Sequence, residues 1–181
     1  MKKMKDKYKP KKKTFRVTIF GSARIKENNQ IYKDVQSLAK MLGERGFDVV
    51  TGGGPGLMKA ANSGHKQGSE KTGAHSIGVG ISIPKEQKIN KHVDIVKEFK
   101  RFSKRLDYFM SLSNAVVVAP GGVGTLLELV YTWQLMQVEH ICHIPIILVG
   151  RQWPPLLKWV EKYPLKSKYL EKKRFDFIIC C

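Results

Sequence analysis

Acidic residues and cysteines are scarce in this 181-residue chain. Fifteen Asp and Glu stand against 33 Lys and Arg, a formal charge of +18. The cysteines, Cys142, Cys180 and Cys181, lack a paired framework and zinc-ligand spacing. No metal site is expected, and free thiols suit a reducing, cytoplasmic compartment. No apolar run reaches the roughly 18 residues of a membrane span. No apolar segment follows the first lysines as it would in a secretory leader. Neither a membrane partner nor export is expected.

The positive charge is unevenly placed. Residues 2–13 hold eight lysines against Asp6, and residues 158–174 hold seven basic groups against two acids. Residues 1–13 contain too little apolar surface to offset the entropy of ordering, so a flexible lysine-rich arm is expected there. A solvated tail explains such a charge better than a nucleic-acid interface, and no sequence-specific nucleic-acid partner is expected.

With 42% hydrophobic residues, the remainder (14–181) is expected to form one domain with a substantial core. Apolar runs of strand length occur at Phe15–Phe20, Phe47–Val50, 75–83, Asn114–Ala119 and Pro145–Val149, with a last short run at Phe175–Ile179. Between them lie segments with helical spacing, at 31–45, from Leu57, at Phe102–Leu112, at Thr125–Val138 and at Leu156–Val160. Gly46 is placed to end the first helix, and Gly64 to weaken the second. In the Thr125–Val138 helix, Leu126, Leu129, Val130, Trp133 and Met136 are expected to share a buried side. Apolar strands alternating with helices predict an α/β three-layer sandwich around a mostly parallel sheet.

Glycine is spent at three turns that follow strands: Gly21-Ser22, Thr51–Gly56 and Pro120–Thr125. In a parallel sheet all three lie beyond the strands' carboxyl ends, where ligands bind. At 121–124 the glycines lead into a helix start, whose unpaired N–H groups and partial positive charge suit a phosphate. A lysine is missing before Thr125, so the nucleoside-triphosphate loop spacing is not met. Thr125 and Glu128 also fit a capping box, which would account for both without chemistry. Arg101, Lys104 and Arg105 precede the fourth strand, and spacing alone does not choose among them.

These residues resemble the LOG-like nucleoside 5′-monophosphate phosphoribohydrolases, long mislabelled as possible lysine decarboxylases. The motif Gly-Gly-Gly-Pro-Gly-Leu-Met is complete at 52–58, and Pro-Gly-Gly-x-Gly-Thr-x-x-Glu is complete at 120–128. The resemblance runs on through Ala60-Ala61-Asn62, Ser76-Ile77-Gly78, Ile83-Pro84, Asn90 and Gln134. It implies a Rossmann-like fold, a homodimer or higher assembly, and hydrolysis of the N-glycosidic bond without cofactor or metal. AMP and cytokinin-type ribotides are the implied substrates. Arg105 and Glu128 match the family's catalytic pair. Gly21, Ser22, Gly52, Gly53, Gly54, Met58, Phe109, Gly121, Gly122, Gly124 and Thr125 are the expected substrate contacts, with Phe109 near the base. Position 106 departs from the family, with Leu in place of Lys.

Three other readings compete. A non-catalytic nucleotide or phosphosugar binder needs only the glycine cradle. A dinucleotide oxidoreductase needs a Gly-x-Gly-x-x-Gly turn that residues 21–24 lack. A pyridoxal-dependent decarboxylase needs a Schiff-base lysine and a partner for the ring nitrogen, and neither is marked.

Overall fold

A computed structural model describes residues 14–82, 88–171 and 178–181. The lysine-rich arm expected at 1–13 lies outside the described residues. Seven strands form one sheet in the order β4-β3-β2-β1-β5-β6-β7, and every pairing is parallel. They are β1 (Arg16–Phe20), β2 (Asp48–Thr51), β3 (Ser76–Ile81), β4 (Ile95–Phe99), β5 (Ala115–Val118), β6 (Ile146–Leu148) and β7 (Ile178–Cys180). Helices α1 (Gln30–Glu44), α2 (Leu57–Gly68), α3 (Phe102–Leu112), α4 (Val123–Gln137) and α5 (Trp153–Val160) cover it.

The central strands are rich in β-branched residues buried on both faces, as Ala115-Val116-Val117-Val118 shows. One core lies under α1 and α2, where Tyr32, Val35, Leu57 and Ala61 meet Val17, Ile19 and Val49. The other lies under α3, α4 and α5, where Phe109, Leu129, Met136 and Trp153 meet Phe20, Val79 and Val118. The result is the three-layer sandwich. Strand order runs outward from β1 in both directions, so the switch point falls between β1 and β5. The carboxyl ends of these two strands open a crevice there.

Three local expectations change. Sequence periodicity placed no strand at 95–99, yet Ile95–Phe99 pairs with β3 as the sheet edge. Lys97 and Glu98 break its apolar run, which an edge strand tolerates. Gly64, expected to weaken α2, lies inside the helix, which runs on to Gly68. It lies against α1, where an added β-carbon would stand 1.9 Å from the Gln36 carbonyl oxygen. Of the five apolar residues expected on the buried side of α4, Leu129, Trp133 and Met136 are buried, whereas Leu126 and Val130 are exposed, as are Val123 and Leu127. The helix is apolar on two sides, and the sheet covers one.

Of the last strand expected at Phe175–Ile179, residues 175–177 lie outside the described residues; β7 is Ile178–Cys180. Gly46 follows α1 with φ +75°, as its placement past Arg45 predicted. Asn29 caps the other end, accepting from the Ile31 N–H at 2.9 Å. No helix among the described residues is long and apolar enough to cross a membrane.

Candidate active site

The crevice is a cavity of 730 Å³ running along the carboxyl ends of β5, β1, β2 and β3. Gly122, Val123, Gly124 and Thr125 form one end. Arg105, Glu128 and Gly52 sit at its middle. Met58, Gly80, Ile81, Ile89 and Phe102 make an apolar end.

The first end is the start of α4. Gly122 is its N-cap and offers no side chain to the first N–H groups. The N–H groups of Val123, Gly124 and Thr125 therefore have no partner within the helix. A β-carbon at Gly122 or at Gly124 would meet nothing within 4 Å. Packing does not require glycine at these two positions, but their bareness keeps the amides accessible to a ligand. Gly121 serves the fold instead, since a β-carbon there would lie 2.1 Å from Thr125 Oγ1. Its peptide is gripped by Gln152, whose Oε1 accepts the Gly121 N–H (3.1 Å) and whose Nε2 donates to the Gly121 carbonyl (2.7 Å). Sequence reasoning passed over Gln152, which lies 31 residues away with no motif around it.

Of the three basic candidates, Arg105 is the one that turns inward. Its Nε donates to the Val79 carbonyl (2.9 Å), and its guanidinium lies 5.0 Å from the centre of the Phe109 ring. Its Nη1 is 3.5 Å from Glu128 Oε1, and both side chains are largely buried. A β-carbon at Gly52 would come within 2.6 Å of Arg105 Nη2. The glycine turn therefore makes room for the arginine. Burial pushes the Glu128 carboxyl up to about 7, against the opposing pull of Arg105. Thr125 is the third residue of α4, and the Glu128 carboxylate faces Arg105. The capping-box explanation is thus replaced by an ion pair within the cavity.

The 52–56 turn is held from behind. Thr51 Oγ1 accepts the Gly53 N–H and donates to Asn62 Oδ1, each at 2.9 Å. The Asn90 amide donates to the carbonyls of Gly53 and Gly54 and to Asn62 Oδ1. Gly53 has φ +72°, a backbone state open to glycine at little cost.

Of the expected contacts, Gly21, Ser22, Gly52, Gly54, Met58, Gly122, Gly124 and Thr125 line the cavity with Arg105 and Glu128, whereas Gly53, Gly121 and Phe109 do not. Phe109 is fully buried beneath Arg105 and supports it through its ring face. Leu106, at the family's lysine position, is buried and also outside the lining. The sequence reading missed Arg24, Ile81, Ile89 and Phe102. Arg24 could have been found from its place two residues beyond Gly21-Ser22.

Residues 58–181 match the family described as "Possible lysine decarboxylase". The chain is 30% identical over 140 residues to a pyrimidine/purine nucleotide 5′-monophosphate nucleosidase of Escherichia coli, covering 74% of this chain and 30% of that protein. It is 34% identical over 143 residues to a probable cytokinin riboside 5′-monophosphate phosphoribohydrolase of Arabidopsis thaliana, covering 75% of this chain and 67% of that protein. The chain thus spans under a third of the length of the bacterial relative. Among solved structures, a molybdenum cofactor binding protein of Rippkaea orientalis shares the fold with TM-score 0.65 and 18% identity, covering 94% of this chain and 91% of the other.

Proposed function

Because the chain belongs to the family described as possible lysine decarboxylase and is similar to a nucleotide 5′-monophosphate nucleosidase and a probable phosphoribohydrolase, we propose that it hydrolyses the N-glycosidic bond of nucleoside 5′-monophosphates. The products are a free base and ribose 5-phosphate, with AMP and cytokinin-type ribotides as the leading substrates. The observation that carries this is the position of Glu128 on the helix whose first amides are bare. Glu128 lies four positions along the helix from Gly124, a rise of about 6 Å. That is the scale of a ribose with its 5′ carbon.

In this reading the 5′-phosphate accepts hydrogen bonds from the N–H groups of Gly122, Gly124 and Thr125. The base lies toward Met58, Ile81, Ile89 and Phe102. As the bond from C1′ to the base nitrogen breaks, its electron pair leaves with the base and positive charge develops at C1′. The ionised Glu128 stabilises that charge and orients the attacking water. The water oxygen bonds to C1′, and the water's proton ends on the departing base. Arg105 holds Glu128 in place and faces the ribose. A pyridoxal cofactor does not suit these residues, since no lysine among the described residues lines the cavity.

Incubation with AMP, GMP, CMP, UMP and an isopentenyl-type adenine ribotide, with chromatography of the products, tests the reading. Release of base together with ribose 5-phosphate is expected. Tight AMP binding without base release would leave only a nucleotide-binding protein.

The exposed stripe on α4, with Val123, Leu126, Leu127 and Val130, supports a homodimer formed across this helix. Trp133 and Met136, on the other side of the helix, lie in the core. Leu127→Asp is expected to shift the sedimentation coefficient from dimer to monomer. An unchanged coefficient would place any interface elsewhere.

A further inference from the structure

The cavity holds three ionisable groups among its described lining residues: Arg24, Arg105 and Glu128. Arg105 and Glu128 face each other. A nucleotide phosphate brings a charge of about −1.5 to −2, and the start of a helix offers only about +0.5. Glu128 adds a negative charge of its own when ionised. The helix end and the Arg105–Glu128 pair therefore leave a phosphate under-compensated, and Arg24 is the remaining cation among the described lining residues.

The backbone at Arg24 is tightly held. The Ser22 N–H donates to the Pro120 carbonyl (3.0 Å), and the Ser22 carbonyl accepts the Leu57 N–H (2.9 Å). The Arg24 N–H donates to Ser22 Oγ (3.1 Å). At Gly56, a β-carbon would come within 2.3 Å of the Ser22 carbonyl oxygen, so α2 presses directly on this turn. Pro120 begins the loop that carries the bare amides. The turn bearing Arg24 is thus stitched to that loop, while Arg24 itself is exposed at the cavity edge. A rooted backbone with an unburied guanidinium suits an anion clamp, because only the side chain remains to be ordered and its planar fork is shaped for a bidentate contact.

We infer that Arg24 clamps the 5′-phosphate of the substrate and sets the preference for nucleotide over nucleoside. This rests on the nucleotide reading above and adds a residue to it. The role is binding and discrimination, and the bond-breaking groups remain Arg105 and Glu128.

The test compares Arg24→Ala and Arg24→Lys with the native chain on AMP and adenosine. Arg24→Ala is expected to raise KM for AMP by about 10- to 100-fold, the scale of a lost charge-assisted contact. Its kcat should change less, its kcat/KM for adenosine should hold, and Arg24→Lys should recover part of the loss. An unchanged KM for AMP, or an equal loss for AMP and adenosine, would overturn the assignment. Calorimetric titration with both ligands separates this from failure of the nucleosidase reading. If the native chain binds AMP without releasing adenine, the nucleosidase reading fails. A weaker AMP affinity in Arg24→Ala, with adenosine unaffected, would still support the clamp. Equal AMP affinities in the two proteins, or no AMP binding by the native chain, would overturn it.

Discussion

Glu128→Gln is expected to lower kcat for base release from AMP by about 10²- to 10⁴-fold, the range for loss of a positioned acid–base or charge-stabilising group. Gln keeps the volume and the hydrogen-bonding capacity, so AMP binding should persist. The pH dependence follows from the burial that raises the Glu128 carboxyl to about 7. In the proposed mechanism the ionised form is the active one, so kcat/KM should rise with pH up to about 7 and then level. The second ionisation of the phosphate, near 6, contributes its own step. That step should remain in residual Glu128→Gln activity, whereas the step near 7 should vanish.

Stability should move the other way. A carboxyl whose folded value lies above its unfolded value supports the fold fully below about 4.5. That support is lost as pH rises through about 7. Replacing it with a neutral amide removes the burden of a buried charge, so Glu128→Gln is expected to melt at or above the native Tm at pH 8. A lower Tm together with normal turnover would make Glu128 a structural partner of Arg105 and sink the catalytic assignment.

Gly64→Ala should act on the fold alone. The new β-carbon meets the Gln36 carbonyl oxygen at 1.9 Å and the carbonyl carbon at 2.7 Å. These are backbone atoms of α1 and cannot rotate away, so the helices must part. Ala gains about 1 kcal/mol of helix propensity over Gly, which overpacking of this kind exceeds, and a net loss of about 2–3 kcal/mol is expected. Urea denaturation reads it as a lower midpoint with an unchanged slope. Gly124→Ala is the contrast. Its β-carbon meets nothing within 4 Å, so the midpoint should hold or rise while AMP affinity falls. If Gly124→Ala bound AMP normally, the bare amides of α4 would not be the phosphate site.

Some of this was legible in the chain and some was not, for physical reasons. The parallel sheet was readable because strands buried on both faces carry unbroken apolar runs, as at Ala115–Val118. β4 was not, because an edge strand buries less of its surface and admits Lys97 and Glu98. The glycine turns were visible as motifs, but glycine at 121 serves Thr125, glycine at 64 serves α1, and glycine at 124 leaves open space. One residue type thus does three jobs, and only neighbouring atoms tell them apart. Phe109 was placed on the correct helix beside Arg105, yet it supports the arginine from the core rather than lining the cavity.

By itself, the order of residues determined the alternation of strands and helices, the side of the sheet that carries the cavity, and the glycine loops there. These follow from short-range periodicity and backbone freedom, which each segment carries independently of the rest. Tertiary structure alone decided that Arg105 meets Glu128 and that Gln152 grips Gly121. It also decided that Arg24 stands at the same opening and that the second apolar side of α4 stays uncovered. Those outcomes depend on how separate elements pack across the sheet, and no local stretch of sequence contains that distance.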